Sequence, residues 1–176
     1  MPYLAKPNIR YQTSYLSALA EYKEEGLDAG PPIFALADPP TFDRYVKDIC
    51  GKVNNRSAIK SDPPPSVVWW WVEGSRYLGR ISLRLYLTPY LASYGGHVGY
   101  DVRKSERGRG VASEMLKAAL PLARSMGYEK LILVCEEKNI PSRKVIEKNN
   151  GFFLGYSVDG EGKKHLRFQI DLTGIR

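Results

Sequence analysis

The stretch that decides the reading of this chain is Val102-Arg103-Lys104-Ser105-Glu106-Arg107-Gly108-Arg109-Gly110-Val111-Ala112-Ser113. Before it, His97 to Val102 reads as a short apolar strand. After it, Val111, Met115, Ala119 and Leu122 recur at helical spacing, with Gly127 past the last turn as a stop. A strand therefore hands over to an amphipathic helix through a turn of small residues. Gly108, Gly110 and Ala112 let backbone N–H groups approach an anion, and the first helical turn adds unpaired donors and the positive end of the dipole. Arg107 and Arg109 bring cationic charge beside them. The pattern predicts a site for a diphosphate. Two other phosphate motifs do not fit: Ser113 stands where the dinucleotide fingerprint ends in glycine, and no Gly-Lys-Ser/Thr follows the turn. The plainer alternative is a helix-opening turn with solvent-facing arginines.

Downstream, Leu131 to Val134 is a short apolar strand. Asn139 to Asn149 is a helix with Asn139 as N-cap and Pro141 in its first turn, ended by Gly151. Phe152 to Val158 and His165 to Leu172 alternate as a hairpin around Asp159-Gly160-Glu161-Gly162. Upstream, Ile81, Leu83, Leu85 and Leu87 alternate with Arg80, Ser82, Arg84 and Tyr86, which predicts a half-buried antiparallel strand whose Arg80 and Arg84 either meet an acidic group of an acceptor or, the favoured reading, face water. Val67 to Val72 is a further strand, and Trp69-Trp70-Trp71 within it must alternate between two faces. Pro31-Pro32, Pro39-Pro40 and Pro63-Pro64-Pro65 mark loops around two helices, Ser14 to Glu25 and Thr41 to Val53. The second takes Thr41 as N-cap before Phe42, Tyr45, Val46 and Ile49. The order predicts one α+β domain over residues 1–176: a central mixed, largely antiparallel sheet of about six or seven strands flanked by about four helices.

Two motifs carry a family resemblance. Arg107-x-x-Gly110-x-Ala112 is similar to the Q/R-x-x-G-x-G/A signature of the GNAT superfamily of acyl-CoA-dependent N-acyltransferases. Asn139-x-x-Ser142-x-x-x-Ile146-Glu147-Lys148-x-x-Gly151-Phe152 resembles the second motif of that family, N-x-x-S/A ending in G-F. The two stand in the family's order, with a helix and then a strand between them. The resemblance implies a GNAT-like fold and transfer of an acetyl group from acetyl-CoA, the cosubstrate, directly to a primary amine of a small molecule or peptide, with no metal. It puts the coenzyme diphosphate on the amides of Arg107, Gly108, Arg109, Gly110, Val111, Ala112 and Ser113. The pantetheine would pair with the backbone from Tyr100 to Arg103, Val102 included, and Asn139 and Ser142 would reach the coenzyme from the second helix. Residues 67–176 would form the cofactor-binding core and residues 1–66 the acceptor side.

The family often carries a tyrosine in the second helix that protonates the leaving thiolate. This chain has Ile146 there, which cannot donate, so solvent, Ser142 or a tyrosine from elsewhere such as Tyr156 is the substitute. For the base, the family places Glu or His near the start of the strand before the turn. His97 is there, although a period of two turns it away from the face of Val98. Tyr100 is its rival, and Glu136 and Glu137 are further candidates on the acceptor side. The missing tyrosine also supports a second reading, a noncatalytic acyl-CoA-binding sensor of the same fold.

Composition narrows the classes further. Lys plus Arg number 26 against 19 Asp plus Glu, a net charge of +7 that favours anionic partners of any kind. No aromatic RNA signature or recognition helix accompanies the charge, which ranks a nucleic-acid module last. Cys50 and Cys135 are far apart, and with His97 and His165 the sole histidines a zinc cluster lacks ligands. No apolar run is long enough for a signal peptide or a membrane span, so the expectation is a cytoplasmic protein. The identity of the amine is not legible, and a homodimer is left open.

Overall fold

Successive strand residues face opposite ways, and in this chain both faces of the upstream strands carry large apolar side chains, so both need a cover. The computed structural model describes residues 1–26, 39–51 and 64–174. In chain order they form β1 (Tyr3–Ala5), α1 (Gln12–Glu24), α2 (Pro39–Gly51), β2 (Ser66–Glu73), β3 (Arg76–Arg84) and α3 (Pro89–Tyr94). There follow β4 (Val98–Val102), α4 (Val111–Ser125), β5 (Lys130–Glu136), α5 (Ile140–Lys148), β6 (Phe152–Val158) and β7 (Lys164–Asp171). The α+β class holds. Helix α2 begins at Pro39, two residues before Thr41, while Val53, Pro31-Pro32 and Pro63 lie outside the described residues.

The expected single mixed sheet is two antiparallel sheets, one ordered β1-β2-β3-β4 and the other β5-β7-β6. They touch where Gly96 bridges Leu133 and His97 N–H donates to Ile132 O at 2.7 Å. Gly96 has φ 68°, and a Cβ there would stand 2.6 Å from Ile132 O, so only glycine permits this junction. Among the described residues no ladder joins β4 to β5 beyond it, and no strand pairs with the rest of that edge of β4.

Helix α4 packs Met115, Leu116, Ala119 and Leu120 against Trp71, Ile81, Leu83 and Val98 on one side of the first sheet, and the same core extends under Leu133, Leu166 and Phe168 of the second. On the other side, α1 and α2 bring Tyr15, Tyr22, Phe42 and Tyr45, joined by Tyr11 just ahead of α1, onto Trp70 and Tyr77. The tryptophans alternate as their strand geometry demands. A register shift pairs Trp71 with Gly79 and Val72 with Tyr77, so Leu78 is an extra residue that lets Tyr77 join the aromatic side while Leu78 and Ile81 both join the α4 side.

This second cover corrects the expectation for β3. The strand ends at Arg84 rather than Leu87, and its arginines do not simply face water. Arg80 Nε donates to Asp101 Oδ2 at 2.5 Å beneath α1, and Arg84 Nη1 donates to Gly96 O at 2.8 Å. Two elements had no expectation: β1, which pairs with β2, and α3, capped by Thr88 Oγ1 with Pro89 in its first turn. Among the described residues no helix is long and apolar enough to cross a membrane.

Candidate active site

The turn after β4 is exposed from Arg107 to Gly110, and its glycines are conformationally required. Gly108 and Gly110 have φ of 75° and 81°, and Gly110 is the N-cap of α4 without any side-chain cap. Among the described residues, no protein group accepts a hydrogen bond from the backbone N–H groups of residues 108–113; the ladder of α4 starts with Glu114 N–H to Gly110 O. Consecutive unpaired amides at the positive end of a fifteen-residue helix are the donor set a diphosphate requires.

The arginines have other partners. Arg103 is 7% exposed and is held by Glu21, Ser14, Ser17 and Tyr77 O. Arg107 Nε donates to Val102 O at 2.8 Å and Nη1 to Glu25 at 2.8 Å, while Glu106 takes both Arg76 and Arg109. Glu21 also accepts from Ser105 N–H at 3.0 Å. The cations therefore brace the turn against α1, and the amides are left as its free donors.

Which backbone groups of β4 are available follows from its register with β3. Arg103 N–H donates to Leu78 O, and Arg84 N–H donates to His97 O, so odd-numbered residues of β4 bond to β3. Val98, Tyr100 and Val102 turn their N–H and C=O groups to the free edge. Val102 O is already taken by Arg107, and the backbone of Arg103 is committed to Leu78 O and Glu106 N–H. The edge open for strand-like pairing is thus Tyr100 and the N–H of Val102, with Arg103 serving through its side chain in the brace.

Beyond that edge, Tyr100 Oη lies 2.9 Å from Ser142 Oγ and donates to Ser142 O at 3.2 Å. Ser142 stands in the first turn of α5, whose N-cap Asn139 Oδ1 accepts from Ser142 N–H at 3.1 Å. Asn139 is thereby a cap whose amide nitrogen stays available. Burial pushes the Tyr100 phenol up to about 12, with Ser142 opposing and Cys135 adding to the shift, so the group is protonated at neutral pH. Cys135, at the end of β5, is buried and its thiol is likewise raised by burial, against the opposing effect of Ser142. Ile146, at the position where the family carries tyrosine, is 1% exposed in the apolar core.

The other two candidates sit elsewhere. His97 Nδ1 accepts from Ile132 N–H at 2.9 Å, its ring meets Tyr128 edge-on, and burial lowers its pKa. Its acceptor nitrogen is therefore occupied at the junction of the two sheets. Tyr156 is 60% exposed on β6, with Lys164 Nζ over its ring at 4.3 Å. Sequence reasoning missed Glu21 and Glu25 as the residues that aim the turn; they lie on α1, far away in the chain, with no local motif to mark them.

A search of curated protein sequences finds no significant match. Among solved structures, the chain resembles an N-acetyltransferase from Staphylococcus aureus Mu50 at 21% identity, covering 98% of both chains with a TM-score of 0.62. It resembles Mycobacterium smegmatis RimJ in complex with a CoA disulfide at 15% identity and TM-score 0.72, over 98% of this chain and 82% of that one. A ribosomal-protein-S5-alanine acetyltransferase from Vibrio fischeri matches at 11% identity and TM-score 0.70, over 99% and 94%. These likenesses concern the fold. The model of the acetyltransferase (GNAT) domain matches residues 27–152, most of the sequence and both motifs, and the chain belongs to the GNAT family of acetyltransferases.

Proposed function

We propose that this enzyme transfers an acetyl group from acetyl-CoA directly to a primary amine of a small molecule or peptide. The observation that carries this reading is the set of unpaired amides from residue 108 to 113 at the start of α4, next to a free strand edge at Tyr100 and Val102. The diphosphate would rest on those amides, the pantetheine would pair along the edge, and the thioester oxygen would meet the N–H of Val102. Asn139 Nδ2 and Ser142 lie on the far side of the same opening.

In the reaction the amine nitrogen bonds to the acyl carbon, the carbon–sulfur bond breaks, and the thiolate needs a proton. Tyr100, held protonated and in contact with Ser142, supplies it and is reprotonated by the second proton that the nitrogen sheds as the amide forms, so the pair does the work of the tyrosine that Ile146 replaces. Glu136, the last residue of β5 and exposed on the face opposite Leu133, receives the proton from the acceptor ammonium. His97, with its acceptor nitrogen used by Ile132, serves the junction instead, and exposed Tyr156 is the less favoured donor.

Calorimetric titration with acetyl-CoA, followed by thiol release across a panel of amines, tests the proposal. Binding and turnover of at least one amine are expected. Absence of binding refutes the coenzyme site, and binding without turnover on any amine identifies the noncatalytic sensor.

A further inference from the structure

The arginines of the strands and of the turn after β4 fall into two sets. Arg76, Arg80, Arg103, Arg107 and Arg109 each meet a carboxylate from Glu106, Asp101, Glu21 or Glu25. Arg84 and Arg167 do not. Both are half-buried, and among the described residues they donate to main-chain carbonyls alone. Arg84 Nη1 reaches Gly96 O at 2.8 Å and Gly95 O at 3.4 Å, and Arg167 Nε reaches Ala92 O at 3.1 Å. Those carbonyls belong to the last turn of α3 and the two glycines after it, so two cations converge on one short stretch of backbone.

Their face is fixed by their neighbours. Leu83 beside Arg84, and Leu166 and Phe168 on either side of Arg167, all point into the core under α4. Alternation sends both arginines to the opposite face, away from the helix whose first turn would hold the coenzyme. On the acetyltransferase reading, the arginine side is the face from which an amine would approach the thioester. Glu136 and His165 are on that face too, in register with each other. His165 Nε2 is bonded to Asp159 Oδ2 at 2.8 Å, and Glu136 forms no ion pair with Arg167.

A guanidinium carries five N–H donors, and a neutral carbonyl offsets neither its charge nor its lost hydration. Burial accordingly lowers the pKa of Arg84, with no opposing anion. A partly desolvated guanidinium pair with no carboxylate partner among the described residues is a strong receptor for an incoming anion, since charge-assisted pairing there is screened less than in water.

We propose that Arg84 and Arg167 recognise a carboxylate on the acceptor, so that this enzyme prefers amines carrying an acidic group. The inference rests on the acetyltransferase reading above and names the acceptor class for that site.

The test uses matched acceptors in two arms: free amino acids against their α-amides, and short peptides with a free N-terminus carrying Glu or Gln within the first three positions. Wild-type protein should show kcat/KM about tenfold or more higher for the acidic member in at least one arm, with the advantage shrinking as salt rises. Arg84→Gln and Arg167→Gln should raise KM for the acidic member, leave kcat nearly unchanged, and leave the neutral member unaffected; Arg84→Lys should restore part of the loss. Equal or better use of neutral acceptors by the wild type overturns the inference, as does an equal loss on both members in the Gln variants, which would mark the arginines as props for α3 alone. Should either Gln variant fail to fold, the wild-type ratio and its salt dependence still decide. If acetyl-CoA does not bind at all, the acetyltransferase reading falls as well. If it binds and neutral amines turn over without acid preference, this inference falls alone.

Discussion

The two covers of the first sheet are made of different materials. Under α4 the contacts are mainly aliphatic, with Met115, Leu116, Ile81 and Leu83 nearly or fully buried around the indole of Trp71. Under α1 and α2 they are aromatic and polar-tipped: Tyr15 Oη donates to Tyr45 Oη at 3.2 Å, Tyr22 Oη donates to Asp101 at 2.9 Å, and Asp101 also holds Arg80. Aliphatic packing needs shape and little else, which suits a rigid backing for the main-chain donors that open α4. Hydroxyl tips and ion pairs fix directions, so the α1–α2 side specifies orientation at the expense of buried polar groups. Trp70 Nε1 and Tyr77 Oη, buried with no partner among the described residues, show that expense directly.

Removal of the centre of the aromatic cover should have the largest effect. Trp70 is fully buried and stacked on Tyr15 with centroids 4.9 Å apart, so Trp70→Ala should lose about 3–5 kcal/mol of stability in urea melts. A loss under about 1 kcal/mol would mean that the aromatic side is not a packed core. Tyr100→Phe tests the opening between the sheets. It should lower kcat about a hundredfold while acetyl-CoA affinity measured by calorimetry stays the same. Unchanged kcat would remove Tyr100 from proton transfer. Because the phenol titrates near 12, the wild-type rate should not fall on the alkaline side through this group anywhere below about pH 10.

Glu21 joins the aromatic side to the turn. Burial alone would raise its pKa, but hydrogen bonds from Arg103 and Ser105 outweigh that and hold it below the ordinary carboxylate range. A depressed folded-state pKa contributes stability above the unfolded value, about 4.3, and loses it as pH falls through the folded one. Glu21→Gln should therefore cost about 1.5–3 kcal/mol at neutral pH, and the gap to wild type should close below about pH 4. A gap independent of pH would refute the charge-based brace. The smallest change is Gly110→Ala. At φ 81° alanine either tolerates the left-handed region at about 1–2 kcal/mol or rotates the amides of α4 off their aim. Melting temperature and acetyl-CoA affinity both unchanged would contradict the role given to this turn.

The same contrast governs what could be read from the chain. The turn from Arg107 to Ser113, the cap at Asn139 and the end of α5 near Gly151 were legible because each depends on residues a few positions apart. The division into two sheets was not, because it turns on Gly96 meeting Leu133 through tertiary contact. Helix α3 left a signal, Thr88 followed by Pro89, but six residues between glycine- and tyrosine-rich flanks carry too little periodicity to show it. The ion pairs of the turn were not legible either: the carboxylate partners of Arg107 and Arg109 include Glu25, the C-cap of α1, which no local pattern connects to them. The pairing of Tyr100 with Ser142 likewise joins residues whose separate motifs do not mention one another.

The bonds from Glu21 to the side chain of Arg103 and to the main chain of Ser105 bear on affinity as well as stability. A glycine-rich loop left to itself would sample many shapes, and a ligand would have to freeze one of them on arrival. Here that freezing accompanies the folding of the N-terminal helix, so a coenzyme bound at the proposed turn would meet a preorganised receptor, with the entropic penalty of ordering it already met.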